Sequence, residues 1–222
     1  MRGRIAVYAS FATLVLAMAQ PDSTEAQSGY IGLKAGFVTS DVSTDRATSG
    51  EELGETSRRN GLSGGVVAGL RINPRVSVMA EGLYSQKGFM ITEADVDGSF
   101  KIDVIEIPVL ANLHLGSEGA RVSPRLFAGP WVSFEASCNI EVGPLEAGCD
   151  EGEEGNERKK TDYGLLVGAA LDIVSVGPVT LTADARYNAG FRNIDDSANV
   201  GNLNVKTRGF TFSAGVGIPL GE

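Results

Sequence analysis

Residues 179–191 read Val-Thr-Leu-Thr-Ala-Asp-Ala-Arg-Tyr-Asn-Ala-Gly-Phe, apolar and polar in strict alternation. A period of two is the signature of a β-strand with one apolar and one polar face. The polar face carries Asp184, Arg186 and Asn188. The stretch is longer than an ordinary globular strand and long enough to cross a bilayer at a tilt. The fold therefore turns on which face meets water. A soluble sandwich would turn the apolar face inward, whereas a membrane barrel would turn it toward lipid.

The chain opens Met1-Arg2-Gly3-Arg4, then runs apolar from Ile5 to Ala19 except for Ser10 and Thr13. A basic start, a short apolar core and small residues near a cut point predict a secretory signal over residues 1–27. Cleavage is expected after Ala19 or near Ala26-Gln27, leaving residues 28–222 as one domain. The competing reading is an N-terminal anchor, but the run is short for a spanning helix. An exported chain meets an oxidising compartment, so the only two cysteines, Cys138 and Cys149, are expected to form a disulfide. Two thiols and a single distant His114 make a poor metal set, and no metal or cofactor is expected. The net charge is −9, and losing Arg2, Arg4, Asp22 and Glu25 with the signal leaves it unchanged. Such a balance argues against nucleic acid, which needs a basic face.

Eight strand-like segments follow: Tyr30–Val38, Gly61–Ile72, Val76–Gly88, Lys101–Leu115, Val122–Ala136, Thr161–Ile173, Val179–Phe191 and Thr207–Leu220. Their connections alternate without exception. Residues 39–60, 89–100, 137–160 and 192–206 are long; those after the second, fourth and sixth segments are short. Antiparallel neighbours would put every long loop at one end, and every short turn plus both termini at the other. That is the layout of a bacterial outer-membrane barrel with periplasmic termini. No later segment reads as a transmembrane helix, so spanning requires a closed barrel. The fold class predicted is all-β: an eight-stranded antiparallel up-and-down transmembrane β-barrel behind a cleaved signal peptide.

The polar parities are rich in small residues. In the last segment Gly209, Thr211, Ser213, Gly215 and Gly217 oppose Phe210, Phe212, Ala214, Val216 and Ile218. Small residues suit the crowded interior of a narrow barrel. With the polar faces inward, the lumen would hold Lys34, Arg71, Lys87, Arg125, Arg186 and Arg192, with Glu81, Glu106, Glu135, Asp162, Asp172 and Asp184. Strand direction sets Arg71, Arg125 and Asp172 near the turns and Lys87, Arg192, Glu135 and Asp162 near the loops. Lys34, Glu81, Glu106, Asp184 and Arg186 fall between. Both signs occur at every level, which favours ion-pair ladders over a single-sign conduction path.

Chemistry-bearing motifs are few. Lipid-modifying barrel enzymes need an activated serine, and His114 is read instead as a buried hydrogen-bonded side chain with no serine placeable beside it. The acidic run 150–157 could hold a divalent cation, but it fits a solvated loop tip better and matches no calcium-loop spacing. Arg158, Lys159, Lys160, Lys101 and Arg208 could meet lipid phosphates. Tyr30, Phe37, Tyr84, Phe89, Phe134, Tyr163, Tyr187, Phe191 and Phe210 are expected to form interfacial girdles.

Gly32-Leu33-Lys34-Ala35-Gly36, Glu81-Gly82-Leu83-Tyr84-Ser85-Gln86-Lys87-Gly88, Ile105-Glu106-Ile107-Pro108 and Leu126-Phe127-Ala128-Gly129-Pro130 occur in that order. Together they resemble the PorT-like family of bacterial outer-membrane barrels. The resemblance implies an eight-stranded barrel of the OmpA and OmpX type, in a family whose members are mostly of unknown function. Such chains often end in an aromatic residue; this one ends Ile218-Pro219-Leu220-Gly221-Glu222, so Phe210 or Phe212 would have to serve the barrel-assembly machinery. The role expected is non-enzymatic, structural or adhesive, exerted through four external loops by a monomer in outer-membrane lipid. The alternatives are a narrow pore, a lipid-modifying enzyme and a soluble secreted lipocalin-like binder.

Overall fold

The computed structural model describes residues 29–45, 56–93, 96–116, 120–142, 145–149, 160–174, 179–192 and 204–220. The expected signal segment and the acidic run 150–157 lie outside the described residues. The strands are β1 (Gly29–Asp45), β2 (Thr56–Asn73), β3 (Val76–Glu93), β4 (Val96–His114) and β5 (Val122–Val142). They are followed by β6 (Leu145–Gly148), β7 (Thr161–Val174), β8 (Thr180–Gly190) and β9 (Asn204–Leu220).

All pairings are antiparallel, and β4 pairing with β5 closes a ring of eight strands. The short β6 pairs only with β5 and lies outside the ring. The register can be followed round the wall. Gly29 lies opposite Leu70, which faces Val78, and then come Ala111, Ala128, Val167, Tyr187, Phe210 and finally Thr39. The path returns to β1 ten residues above its start, from Gly29 to Thr39. Ten residues of rise over eight strand spacings correspond to a tilt of roughly 40°. An interior of this size holds side chains and little else.

The outer face is apolar. Leu33 is 62% exposed and Phe37 69%, with Val66, Val109, Leu126, Val167, Leu181 and Val216 also exposed on this face. The inner parity is buried and carries the charges. This inversion of the ordinary soluble pattern is what lipid as solvent demands.

Three sequence expectations need correction. First, all ring strands but β7 and β8 run well past the points where alternation fades. β1 reaches Asp45 and β2 begins at Thr56, while β3 and β4 leave only residues 94–95 between them. The second long connection is thus mostly hairpin. Beyond the bilayer both faces meet water, so hydrophobic alternation disappears while ladder hydrogen bonds persist. Second, β6 is a strand inside the third connection. Third, Tyr30 does not join a girdle. It shares the inward parity of Lys34 and packs against the buried core, its ring lying over Gly69. The outward aromatics Phe37, Tyr84, Phe134, Tyr163, Phe191 and Phe210 occupy the loop-side half of the belt, and the turn-side rim carries Leu70, Leu115, Val122 and Leu220.

Local chemistry explains the first short turn. The Asn73 side-chain oxygen accepts hydrogen bonds from the Arg75 and Val76 backbone N–H groups at 2.9 and 2.8 Å. This side-chain turn, with Pro74 inside it, fixes the hairpin register. Gly168 shows why the inner parity is small. A β-carbon there would collide with the Phe127 ring and approach the Ala185 carbonyl. Gly168→Ala is therefore expected to destabilise by about 1–3 kcal/mol, measured as a lower urea midpoint for the barrel refolded in vesicles.

A charged lumen as the candidate functional site

The inward parity brings the predicted charges into three groups. Nearest the short turns, Arg125 of β5 donates from Nε and Nη2 to the Asp172 carboxylate of β7 at 2.9 and 3.1 Å. Its Nη1 donates to the Asn112 side-chain oxygen at 2.6 Å. Thr182 also donates to Asp172, at 2.9 Å. Arg71 sits on the inward parity at the mouth, exposed, with Nη2 3.5 Å from His114 Nδ1.

The central group is the most buried. Lys34 Nζ lies 2.7 Å from Glu81 and 3.0 Å from Asp184. Arg186 donates to both oxygens of Glu81, at 2.6 and 3.2 Å, and to Asp184 at 3.1 Å. Ser213 adds a donor to Asp184 at 2.8 Å. The four charged side chains are each 6% exposed or less. Two cations and two anions from β1, β3 and β8 satisfy one another across the barrel interior. This is the geometry a buried charge requires, since an unpaired one is costly to desolvate.

Toward the loops, Lys87 Nζ donates to Glu106 at 2.5 Å and stands 5.0 Å from the Trp131 ring centroid. Asp162 accepts from the Thr207 hydroxyl at 2.5 Å and from the Tyr163 backbone N–H at 2.8 Å. Arg192 donates to the Thr161 carbonyl at 2.8 Å. Glu135 is half-buried, and its backbone N–H donates to the Lys160 carbonyl. Arg192 and Asp162, expected at one level, are thus joined through the start of β7 and not to each other.

One part of the lumen carries no polar signal. Val67, Met79, Leu110, Phe127, Trp131, Leu166 and Ala170 form a buried apolar cluster inside the barrel. Arg125 and Arg186 each stand 5.6 Å from the Phe127 ring, so this cluster touches the ionic groups directly. Reading the inner parity as polar missed it. The signal was present in β4, where Val104 and Leu110 share the parity of Glu106 and His114.

His114 acquires a serine that sequence reading could not place. Ser77 Oγ lies 3.0 Å from His114 Nε2, and Asp172 lies 4.0 Å from Nδ1. The three residue types suggest nucleophilic chemistry, but the geometry opposes it. A guanidinium can only donate, so Nδ1 facing Arg71 is the acceptor and Nε2 carries the proton toward Ser77. A base must present a lone pair to its nucleophile. Ser77 is also fully buried, and Asp172 is committed to Arg125. Among the described residues no group of three or more His, Cys, Asp or Glu side chains is arranged to hold a metal ion.

Above the belt, Cys138 and Cys149 are joined by a disulfide, Cα to Cα 5.5 Å, tying the base of the β5–β6 hairpin. Lys101 pairs with Glu141 across β4 and β5, and Tyr84 and Ser137 both donate to Asp103 at 2.7 and 3.0 Å. Reducing the disulfide is expected to leave the barrel folded, because no ring pairing depends on it. Limited proteolysis after reduction should cut within residues 143–160 while the strands of the ring stay protected.

A closed eight-stranded ring with an apolar exterior and paired charges within defines a transmembrane β-barrel. The profile of the family "Outer membrane protein beta-barrel domain" matches residues 18–196, and the chain belongs to that family. It is thus an outer-membrane barrel. Among solved structures, Neisserial surface protein A is similar at 21% identity and TM-score 0.51, covering 86% of this chain and 96% of that one. OprG from Pseudomonas aeruginosa is similar at 13% identity and TM-score 0.54, covering 88% and 98%. At these identities the likeness is one of fold. No curated protein matches the sequence.

Proposed function

We propose that this protein is a non-enzymatic outer-membrane barrel of the PorT-like type. Its lumen is closed by ion pairs, and its role is carried by the surface it displays beyond the membrane. The observation that carries the reading is the central quartet. Lys34, Arg186, Glu81 and Asp184 are all satisfied by one another and almost wholly shielded from solvent. A conduction path needs solvated charge or a wide bore, and the adjoining Phe127 and Trp131 take the space beside the quartet. Display is supported by β3, β4 and β5, which continue past the apolar belt, and by the disulfide holding the hairpin there.

The orientation belongs to the same reading. Signal 1–27 is removed during export, and both chain ends and the short turns face the periplasm. Phe210 and Phe212 on the outward face of β9 would serve recognition by the barrel-assembly machinery. The barrel then stands as a monomer in outer-membrane lipid. Planar-bilayer recording with purified protein tests the closure. No steady conductance steps are expected, and large, sustained steps would overturn it. Protease shaving of intact cells should cleave the connections after β1, β6 and β8 and spare the short turns.

A further inference from the structure

Between the central quartet and the Lys87–Glu106 pair lies a small cavity of about 10 Å³, bounded by Ser63, Glu106, Trp131, Arg186, Asn188 and Thr211 among others. Asn188 is 7% exposed. Its amide nitrogen faces Glu106 Oε1 at 3.5 Å, while its oxygen is the one buried side-chain polar atom without a hydrogen-bond partner among the described residues. Buried acceptors are almost always satisfied. We infer that this cavity is a binding site for a single water molecule, held by Asn188, Glu106 and Thr211.

The chemistry of the lining selects water over other small ligands. Space of this size accommodates about one water. A metal ion would be opposed by the Arg186 guanidinium on the cavity wall and the Lys87 ammonium already on Glu106. An anion would be opposed by the Glu106 carboxylate. Water carries no charge and has two protons to give. One would go to Asn188 Oδ1 and the other to the Glu106 carboxylate, which has lone pairs to spare beyond Lys87 and Asn188. The Thr211 hydroxyl can in turn donate to the water oxygen. Such a molecule would join the two ionic levels into one hydrogen-bonded network.

A crystal structure of the full chain in detergent, grown or soaked in rubidium chloride, tests the site. A solvent peak within hydrogen-bonding distance of Asn188 Oδ1, with no anomalous rubidium signal, is expected. A rubidium peak there would overturn the assignment in favour of a cation. A dry cavity with the Asn188 amide reversed would overturn it outright. Asn188→Leu should abolish the peak, and an unchanged peak in that variant would count against the assignment. If Asn188→Leu fails to fold, Thr211→Val should lose the peak or lower its occupancy. The site is separable from closure of the lumen: a conducting wild type would remove the closed-lumen reading and leave this one standing.

Discussion

Replacing Glu81 by alanine is expected to destabilise the barrel by about 3–5 kcal/mol, the cost of stripping one partner from a buried ion pair. Glu81 receives Lys34 and Arg186 together, and its side chain is fully shielded. Its loss leaves two cations sharing Asp184. Equilibrium urea unfolding in lipid vesicles, followed by the heat-modifiable shift on a gel, reads the effect. A change below about 1 kcal/mol would place the pair in the range of exposed salt bridges and sink the buried network. Removing both signs at once should hurt less. Lys34→Met with Glu81→Met leaves Arg186 with Asp184, and apolar replacement of a buried pair is often close to neutral.

Leu33→Arg is the second large effect. Leu33 sits on the outward face of β1 between Val66 and Val216, well inside the apolar belt. At the bilayer midplane an arginine on the lipid face costs about 2–4 kcal/mol, falling to about 0–1 near the interface. Val122→Arg, at the turn-side rim, should therefore cost little in the same vesicle assay. The contrast between the two variants matters more than either value. In water an exposed leucine changed to arginine would be nearly neutral. Equal and small effects at both positions would contradict the outward face meeting lipid.

Most of the ring was legible from the strand at 179–191 and its like. Inside the bilayer the two faces meet different solvents, so sequence alternation reports the fold directly. It stops reporting where the solvent becomes the same on both sides. That is why the hairpin over residues 89–100 read as a loop, although β3 and β4 remain paired to Glu93 and Val96. Strand direction set Glu106 among the middle charges, whereas it pairs with Lys87 on the loop side, and partners were not legible at all. Lys34 and Glu81 lie on strands that are not neighbours, and Arg186 reaches Glu81 across the interior. Only closure of the ring determines such contacts. His114 with Ser77 is a further instance. Ser77 stands opposite Asn112, two residues before His114, so their contact is a diagonal on the inward face that composition cannot set.

The wall of the barrel is uneven in height. β7 and β8 stop beside Tyr163 and Phe191, at the edge of the apolar belt, while β9, β1, β2, β3, β4 and β5 climb on and β5 gathers β6. A cylinder cut level has no direction in the plane of the membrane, but this one has a front and a back. Rotational symmetry about the membrane normal is lost, and the paired backbone running from β9 through β1 to β6 forms a crest that dips at β7 and β8. A molecule docking on the outer flank of that crest would rest partly over lipid headgroups. Binding there would then depend on the lipid bounding the barrel as well as on the protein. The same chain reconstituted in detergent and in bilayers of different headgroup would then present unequal surfaces to a partner.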